Sequence, residues 1–113
     1  MLPLFSGNIG QGANLLTLDT RALPLVSIII PHYNGIEILS ECLDSLKATT
    51  YREIELLVVD NGSTDDSVDW VVENHPDVRL IKNASNEGYA GGCNGGAQMA
   101  KGELLVFLNN DTI

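Results

Sequence analysis

Four short apolar runs, each followed by polar residues, constrain the fold of this chain more than any other feature. They span residues 26–30, 54–59, 78–81 and 104–108. The first is a β-branched run closed by Pro31, which is typical of a strand buried on both faces. Stretches with helical spacing separate the runs, and strands that alternate with helices predict βαβ units with right-handed crossovers. We therefore expect an α/β protein with a mainly parallel sheet and flanking helices.

Three helices are predicted between these strands. The first covers residues 37–48, whose apolar positions recur at helical spacing opposite charged ones. The second begins near Asp65 and Asp66, with Ser63 or Thr64 as a candidate N-cap. The third covers residues 90–100 and contains several glycines, which suit either close packing on the sheet or close approach to a ligand.

The length of 113 residues fits one domain or part of one. Residues 1–23 contain scattered glycine and asparagine without sustained periodicity, so we interpret them as a linker or edge segment before a domain at 24–113. The sequence stops soon after the fourth predicted strand. We expect a truncated sheet with an unpaired edge, and hence marginal stability or self-association.

Composition narrows the possible functions. The formal net charge is −9, with fifteen acidic and six basic residues, which argues against nucleic acid as a partner. Cys42 and Cys93 lie in no metal-binding or disulfide pattern, so we expect buried free thiols. No run approaches the roughly 20 residues of a transmembrane helix. Without a recognisable signal peptide, a cytoplasmic location is the expectation.

The residues that follow the strands are the candidate site, because open α/β sheets bind ligands at the carboxyl ends of their strands. Tyr33 offers an aromatic face for a base, and Asp60 offers a carboxylate that can accept from an imide N–H or a ribose hydroxyl. Each residue alone is more often a packing or turn residue. Their placement at one edge of the sheet favours a nucleoside site. A single histidine is more often an ordinary loop residue than a base or a metal ligand, and we assign His32 no catalytic role.

Two further segments point to the same edge. Asn109 and Asp111 follow the fourth strand, where oxygen ligands could hold a divalent cation on a diphosphate. Residues 86–92 form a glycine-rich loop before a helix, which is suited to phosphate but lacks a basic side chain and matches no standard phosphate-binding motif. Close packing of helix on sheet explains its glycines equally well.

Taken in order, these motifs resemble the family 2 glycosyltransferases of the GT-A fold. The resemblance covers residues 24–113. It rests on Val-Ser-Ile-Ile-Ile-Pro-His-Tyr-Asn at 26–34, Cys-Leu-Asp-Ser-Leu at 42–46, Val-Val-Asp-Asn-Gly-Ser-Thr-Asp at 58–65, Asn-Glu-Gly-Tyr-Ala-Gly-Gly-Cys-Asn-Gly at 86–95 and Phe-Leu-Asn-Asn-Asp-Thr at 107–112.

The resemblance implies a Rossmann-like, nucleotide-sugar-binding half of a transferase. The donor, a dTDP- or UDP-sugar, would be held by Pro31, Tyr33, Asn34, Asp60, Asn61, Gly88 and Gly92. Asp111, with Asn109, would occupy the DxD position and bind Mg²⁺ or Mn²⁺. The Gly-Tyr-Ala-Gly-Gly and Asn-Asn-Asp-Thr variants look most like a rhamnosyltransferase-type branch that builds bacterial surface polysaccharides from saccharide or lipid-linked acceptors, and the full-length protein would then work at the inner membrane face.

Two departures from the family pattern affect the expected activity. Asn109 replaces the usual first Asp of DxD, which would weaken metal binding. The base that an inverting transfer needs is expected downstream of residue 113, so we expect this chain alone to be inactive. The alternatives are a catalytically inactive nucleotide-binding fragment or regulatory module, or a receiver-like phosphoacceptor using Asp60. A receiver is disfavoured because acidic residues are missing after the first strand.

Overall fold

The computed structural model describes residues 23–109, which fold into alternating strands and helices. The described elements, in chain order, are β1 (Val26–His32), α1 (Ile36–Lys47), β2 (Ile54–Asp60), α2 (Ser67–Asn74), β3 (Arg79–Lys82), α3 (Gly88–Met99) and β4 (Leu104–Phe107). The predicted α/β fold is confirmed, and the element boundaries differ from the predicted ones by no more than two residues. The segment 1–22 and Asp111 lie outside the described residues.

All described strands are parallel, in the order β3-β2-β1-β4. Strand β1 lies inside the sheet and every one of its residues is buried. This agrees with its unbroken apolar sequence, because a strand covered on both faces needs no polar alternation. Helical crossovers join the parallel strands and place all of their carboxyl ends at one edge.

Each face of the sheet has its own apolar cluster, because successive side chains of a strand point to opposite faces. On one face, Ile28 and Ile30 pack with buried residues of α1 and α2 that include Leu43 and Val71. On the other, Ile29 and residues of β2 pack near Ala97 of α3. Helices α1 and α2 therefore cover one face of the sheet, and α3 covers the other.

The glycines of α3 allow this helix to approach the sheet closely. A Cβ atom added at Gly96 would lie 2.3 Å from Cγ2 of Ile29, and one at Gly92 would lie 2.8 Å from Cβ of Pro31. Both distances are shorter than non-bonded carbon atoms allow. Gly92 therefore brings the first half of α3 against the end of β1, next to the candidate site.

Strand β4 is less buried than β1. It pairs with β1 at the edge of the described sheet, its first three residues are half-buried, and Phe107 is exposed. An edge strand has one neighbour only, so its side chains lose cover from one side.

Cys42 and Cys93 are buried free thiols, as predicted. Across residues 23–109, no helix has the length and apolar character needed to cross a bilayer.

Candidate nucleotide site

The ends of the first three strands lie side by side at the carboxyl edge of the sheet. The parallel register pairs His32 with Asp60, and Asp60 with Lys82. The pairing continues one step into the loops: Asn61 N donates to the His32 carbonyl (2.8 Å) and Asn83 N donates to the Asp60 carbonyl (2.8 Å). The structure thus places the residues after β1 and those after β2 side by side, as the sequence predicted.

Asp60 ends β2 with a carboxylate that is almost completely buried, since only 3% of the residue is exposed. Ser63 holds this carboxylate from two directions: its backbone N–H donates to Oδ2 (3.0 Å) and its hydroxyl donates to Oδ1 (2.5 Å). A carboxylate oxygen can accept more than one hydrogen bond. The group is therefore fixed in orientation and keeps acceptor capacity for a ligand N–H or O–H.

Ser63 and Thr64 do not cap α2, which corrects the sequence-based expectation. The N-cap position is Asp66, and no side chain caps the helix there. Asp65 instead accepts from the backbone N–H of Ser67 (3.0 Å). The Ser63 hydroxyl bonds the carboxylate of Asp60 instead of a backbone N–H at the helix start. A hydrogen bond to an ionised oxygen is stronger than one to a neutral group.

Tyr33 follows the buried β1 and is 46% exposed. It occupies the first position after His32, which pairs with Asp60 across the sheet. An exposed aromatic residue and a buried acceptor at the same edge of the sheet offer an apolar surface for stacking and a polar group for orientation.

Asn61 connects the site to the start of α3. It is 3% exposed. Its Nδ2 donates to the Gly88 carbonyl (3.2 Å), and its Oδ1 accepts from Nδ2 of Asn83 (2.9 Å). Gly88 has a φ of +76°, a conformation that glycine adopts at little cost. Asn61 therefore ties the end of β2 to the first turn of α3.

A series of hydrogen-bonded side chains, from His32 through Ser67 to Asp65, lies beneath the loops. His32 is 2% exposed, and its Nε2 is 3.0 Å from the hydroxyl of Ser67, which also contacts the carboxylate of Asp65. Burial lowers the pKa of His32, although Asp60 and Asp65 oppose this effect. Burial also disfavours ionisation of Asp65, but hydrogen bonds from Ser67 and Gly35 outweigh it, and the pKa of Asp65 is lowered. His32 is thus a neutral structural partner.

The predicted metal-binding residues fall at the limit of the described chain. Asn109 comes two residues after β4, and the preceding Leu108 N donates to the Ile29 carbonyl (3.0 Å), which keeps this segment beside β1. Asp111 lies outside the described residues. Within residues 23–109, no group of three or more His, Cys, Asp or Glu side chains is arranged to hold a metal ion. The described residues do not by themselves form a metal centre.

A parallel sheet covered by helices, with an oriented carboxylate and an exposed aromatic residue at its carboxyl edge, defines an α/β domain with a candidate ligand site at that edge. Its sheet order and helix placement are those of the GT-A glycosyltransferase fold. Residues 27–113 match the sequence pattern of glycosyl transferase family 2, and the chain belongs to that family.

Relatives by sequence are bacterial glycosyltransferases. An uncharacterized glycosyltransferase of Nostoc sp. is 37% identical over 91 residues, which cover 78% of this chain and 28% of that protein. Glycosyltransferase GlyG of Streptococcus pneumoniae is 35% identical over 92 residues, which cover 79% of this chain and 31% of the relative. The chain thus spans about a third or less of the length of these relatives.

Two solved structures are similar in fold. A mannosyltransferase of Pyrobaculum calidifontis, in complex with GDP-Man and Mn²⁺, superposes with a TM-score of 0.71 and 32% identity, over 82% of this chain and 29% of that one. TarS of S. aureus, residues 1–349 in complex with UDP-GlcNAc, superposes with a TM-score of 0.70 and 28% identity, over 77% of this chain and 26% of that one.

Proposed function

We propose that this chain binds the nucleoside diphosphate of a nucleotide-sugar donor and supplies the donor side of a glycosyl transfer. The observation that carries the proposal is the carboxylate of Asp60, which is buried and oriented by Ser63 at the edge of the sheet where the exposed Tyr33 follows β1. A buried carboxylate at the carboxyl edge of a parallel sheet can accept a further hydrogen bond from a ligand, beside the two from Ser63.

The two groups suit the two parts of a nucleoside. The ring of Tyr33 stacks on the base, and the carboxylate of Asp60 accepts from a base N–H or a ribose hydroxyl. An analogue that lacks the donor would lose this hydrogen bond and should bind more weakly. We propose UDP or dTDP as the nucleotide, since both carry an imide N–H.

The roles of Pro31, Gly88 and Gly92 in this proposal are to shape the site. Pro31 is buried and packs against Gly92, so the helix can approach the end of β1. Gly88 turns the chain into α3 and accepts from Asn61. In this proposal these residues position the start of α3, and base recognition belongs to the loops after β1 and β2.

A divalent cation, Mg²⁺ or Mn²⁺, forms the second part of the proposal. The similar mannosyltransferase of Pyrobaculum calidifontis is in complex with both Mn²⁺ and a nucleotide sugar. In this chain the carboxylate of Asp111, with Asn109, would hold the ion, and the ion would neutralise charge on the diphosphate. The described residues do not supply a complete ligand set, so the phosphate oxygens would complete it.

The wider biological assignment is also a proposal. We propose a rhamnosyltransferase-like specificity in bacterial surface polysaccharide synthesis, on the cytoplasmic side, with a saccharide or lipid-linked acceptor. The support is the Gly-Tyr-Ala-Gly-Gly sequence at 88–92 and the Asn-Asn-Asp-Thr sequence at 109–112. The base for the inverting transfer would lie in sequence beyond residue 113.

Calorimetric titration with UDP, dTDP and GDP, with and without Mn²⁺, tests the donor site. The wild-type chain should bind UDP or dTDP, and Asp60→Ala should weaken that binding at least about tenfold, because one charged hydrogen bond is worth about 1.5–3 kcal/mol. Asp69→Ala is the matched control, since Asp69 is exposed on α2 and should leave the affinity unchanged. If the wild-type chain binds none of the three nucleotides under either condition, the proposal is wrong.

The metal role has a separate test. Asp111→Asn should remove the gain in nucleotide affinity that Mn²⁺ produces, and it should leave the affinity measured without metal unchanged. An unaltered Mn²⁺ effect in this variant would exclude Asp111 as a ligand.

A further inference from the structure

We propose that Asn34 is a positioning residue, which joins the loop after β1 to the loop after β2 and so sets the separation between the Tyr33 ring and the Asp60 carboxylate. This inference rests on the proposed nucleotide site and gives Asn34 a different task from that of a direct nucleotide ligand. The contacts of Asn34 with residues 63–65 are called the clasp below.

The backbone at Asn34 is unusual. Its φ is +51°, and Asn34 is the one non-glycine residue with positive φ in the part of the chain that the structure describes. Gly35 follows with a φ of +104°. Asparagine tolerates the left-handed region better than other residues with a side chain. The chain therefore turns sharply just after Tyr33, and Asn34 aims its side chain at the neighbouring loop.

The side-chain amide of Asn34 is occupied by that loop. Its Oδ1 accepts from Thr64 N (2.8 Å) and Asp65 N (3.2 Å), and its Nδ2 donates to the hydroxyl of Thr64 (3.2 Å). An amide oxygen has two lone pairs, and both are used here. A nucleotide could engage this oxygen only by displacing a backbone N–H of the protein.

A second connection runs from Asn34 to the functional carboxylate. The backbone N–H of Asn34 donates to Ser63 Oγ (2.9 Å), and the same hydroxyl donates to Oδ1 of Asp60 (2.5 Å). The neighbouring Gly35 N donates to Oδ2 of Asp65 (2.7 Å). Five hydrogen bonds thus join the loop that carries Tyr33 to the loop that orients Asp60. They involve the hydroxyl of Ser63, the backbone and hydroxyl of Thr64, and the backbone and carboxylate of Asp65.

The clasp gives the two nucleoside-binding groups a shared frame. A base stacked on a ring and hydrogen-bonded to a carboxylate needs both groups at a set distance, and loops without cross-links would have to be ordered when the ligand binds. Ordering loops on binding reduces affinity, whereas preorganisation removes that cost. Loss of the clasp should therefore weaken nucleotide binding, although no ligand contact is removed.

The test compares Asn34→Gly with Asn34→Asp in the full chain. The glycine variant keeps the positive φ and deletes the side-chain bonds, while the aspartate variant keeps two acceptor oxygens for Thr64 N and Asp65 N. We expect Asn34→Gly to weaken UDP binding about tenfold, because the two loops would then have to be ordered when the ligand binds. Asn94→Ala, exposed on α3, is the control and should bind as the wild type does.

Amide hydrogen exchange in the nucleotide-free protein gives an independent readout. Asn34→Gly should speed exchange at Thr64 and Asp65, and Asn34→Asp should restore much of the protection. In an Asp60→Asn background, adding Asn34→Gly should lower the UDP affinity by less than about a further twofold. The effect of Asn34 is transmitted through the position of the Asp60 carboxylate, which that background has already removed. A direct ligand would instead give independent losses that multiply.

The outcomes separate this inference from the proposed function. If the wild-type chain binds no nucleotide, the proposed function fails and the positioning role fails with it. If the wild-type chain binds UDP and Asn34→Gly binds equally well, only the positioning role is wrong. Weaker binding by Asn34→Gly with unchanged exchange at Thr64 and Asp65 would identify Asn34 as a direct ligand and overturn the proposal.

Discussion

Adjacent glycines of α3 should respond in opposite ways to the same substitution. A Cβ atom at Gly96 would lie 2.3 Å from Cγ2 and 3.3 Å from Cγ1 of Ile29, and 3.1 Å from Cγ2 of Val59. A Cβ atom at Gly95 would meet nothing within 4 Å. Both positions lie inside the helix, so alanine improves helix propensity equally at the two sites, by about 0.8–1 kcal/mol.

The steric cost at Gly96 should exceed this gain. Ile29 is completely buried in the sheet, and its branched side chain has little freedom to rotate away. Forcing a methyl group into a well-packed core costs about 1–3 kcal/mol. Gly95→Ala should therefore raise the free energy of unfolding by roughly 0.5–1 kcal/mol. Gly96→Ala should lower it by up to about 2 kcal/mol.

Urea unfolding followed by far-UV circular dichroism measures both variants on the same scale. The propensity gain cancels when the two variants are compared, so their difference in unfolding free energy reports the clash alone and should be about 1–3 kcal/mol. For a domain of this size the difference corresponds to a gap of at least about 4 °C in Tm. Equal stability of the two variants, or a more stable Gly96→Ala, would refute the close packing of α3 on β1.

Two further predictions concern protonation and charge. Burial lowers the pKa of both His32 and His75, so the unfolded chain binds protons more readily than the folded one. The free energy of unfolding should therefore fall as the pH drops below about 6.5. His75→Phe should flatten this dependence in urea unfolding measured from about pH 7.5 to 5.5. Glu55 accepts from Ser27, from Nη1 of Arg79 (2.8 Å) and from the backbone N–H of Lys101 (2.7 Å); these bonds outweigh burial and lower its pKa. Glu55→Gln should cost about 2 kcal/mol at about pH 7. The difference from wild type should shrink as the pH falls below about 4.3 through the lowered pKa, and a deficit that persists there would contradict the charge argument.

The fold of this chain could be predicted from local pattern. Apolar runs of four to six residues, separated by amphipathic segments, allow a parallel sheet with helical crossovers and few alternatives. The β-branched run at 26–30 forms β1, the buried strand that pairs with both β2 and β4. The sequence also predicted an unpaired edge at the fourth strand, and β4 lies at the edge of the described sheet. The full order β3-β2-β1-β4 could not be predicted, because it depends on how the helical crossovers pack.

The residues of the site were recognisable for a similar reason. Residues after parallel strands must meet at one edge, so Tyr33, Asp60 and Asn61 could be grouped from the sequence alone. The hydrogen bond from Ser63 to Asp60 could not be predicted, since a serine hydroxyl can either cap a helix or bond a carboxylate. The serine-, threonine- and aspartate-rich stretch at 60–67 signalled dense hydrogen bonding without specifying the partners.

Sequence by itself determined the alternation of strands and helices, the family, and the edge of the sheet at which polar residues gather, because these depend on local periodicity and short motifs. Tertiary structure decided which polar atoms already have hydrogen-bond partners within the protein. The amide of Asn34 bonds residues 64 and 65, about thirty positions away in the chain, and the glycines of α3 meet Ile29 and Pro31 of a distant strand. Contacts between remote segments depend on how the helices dock, and no local pattern encodes that docking.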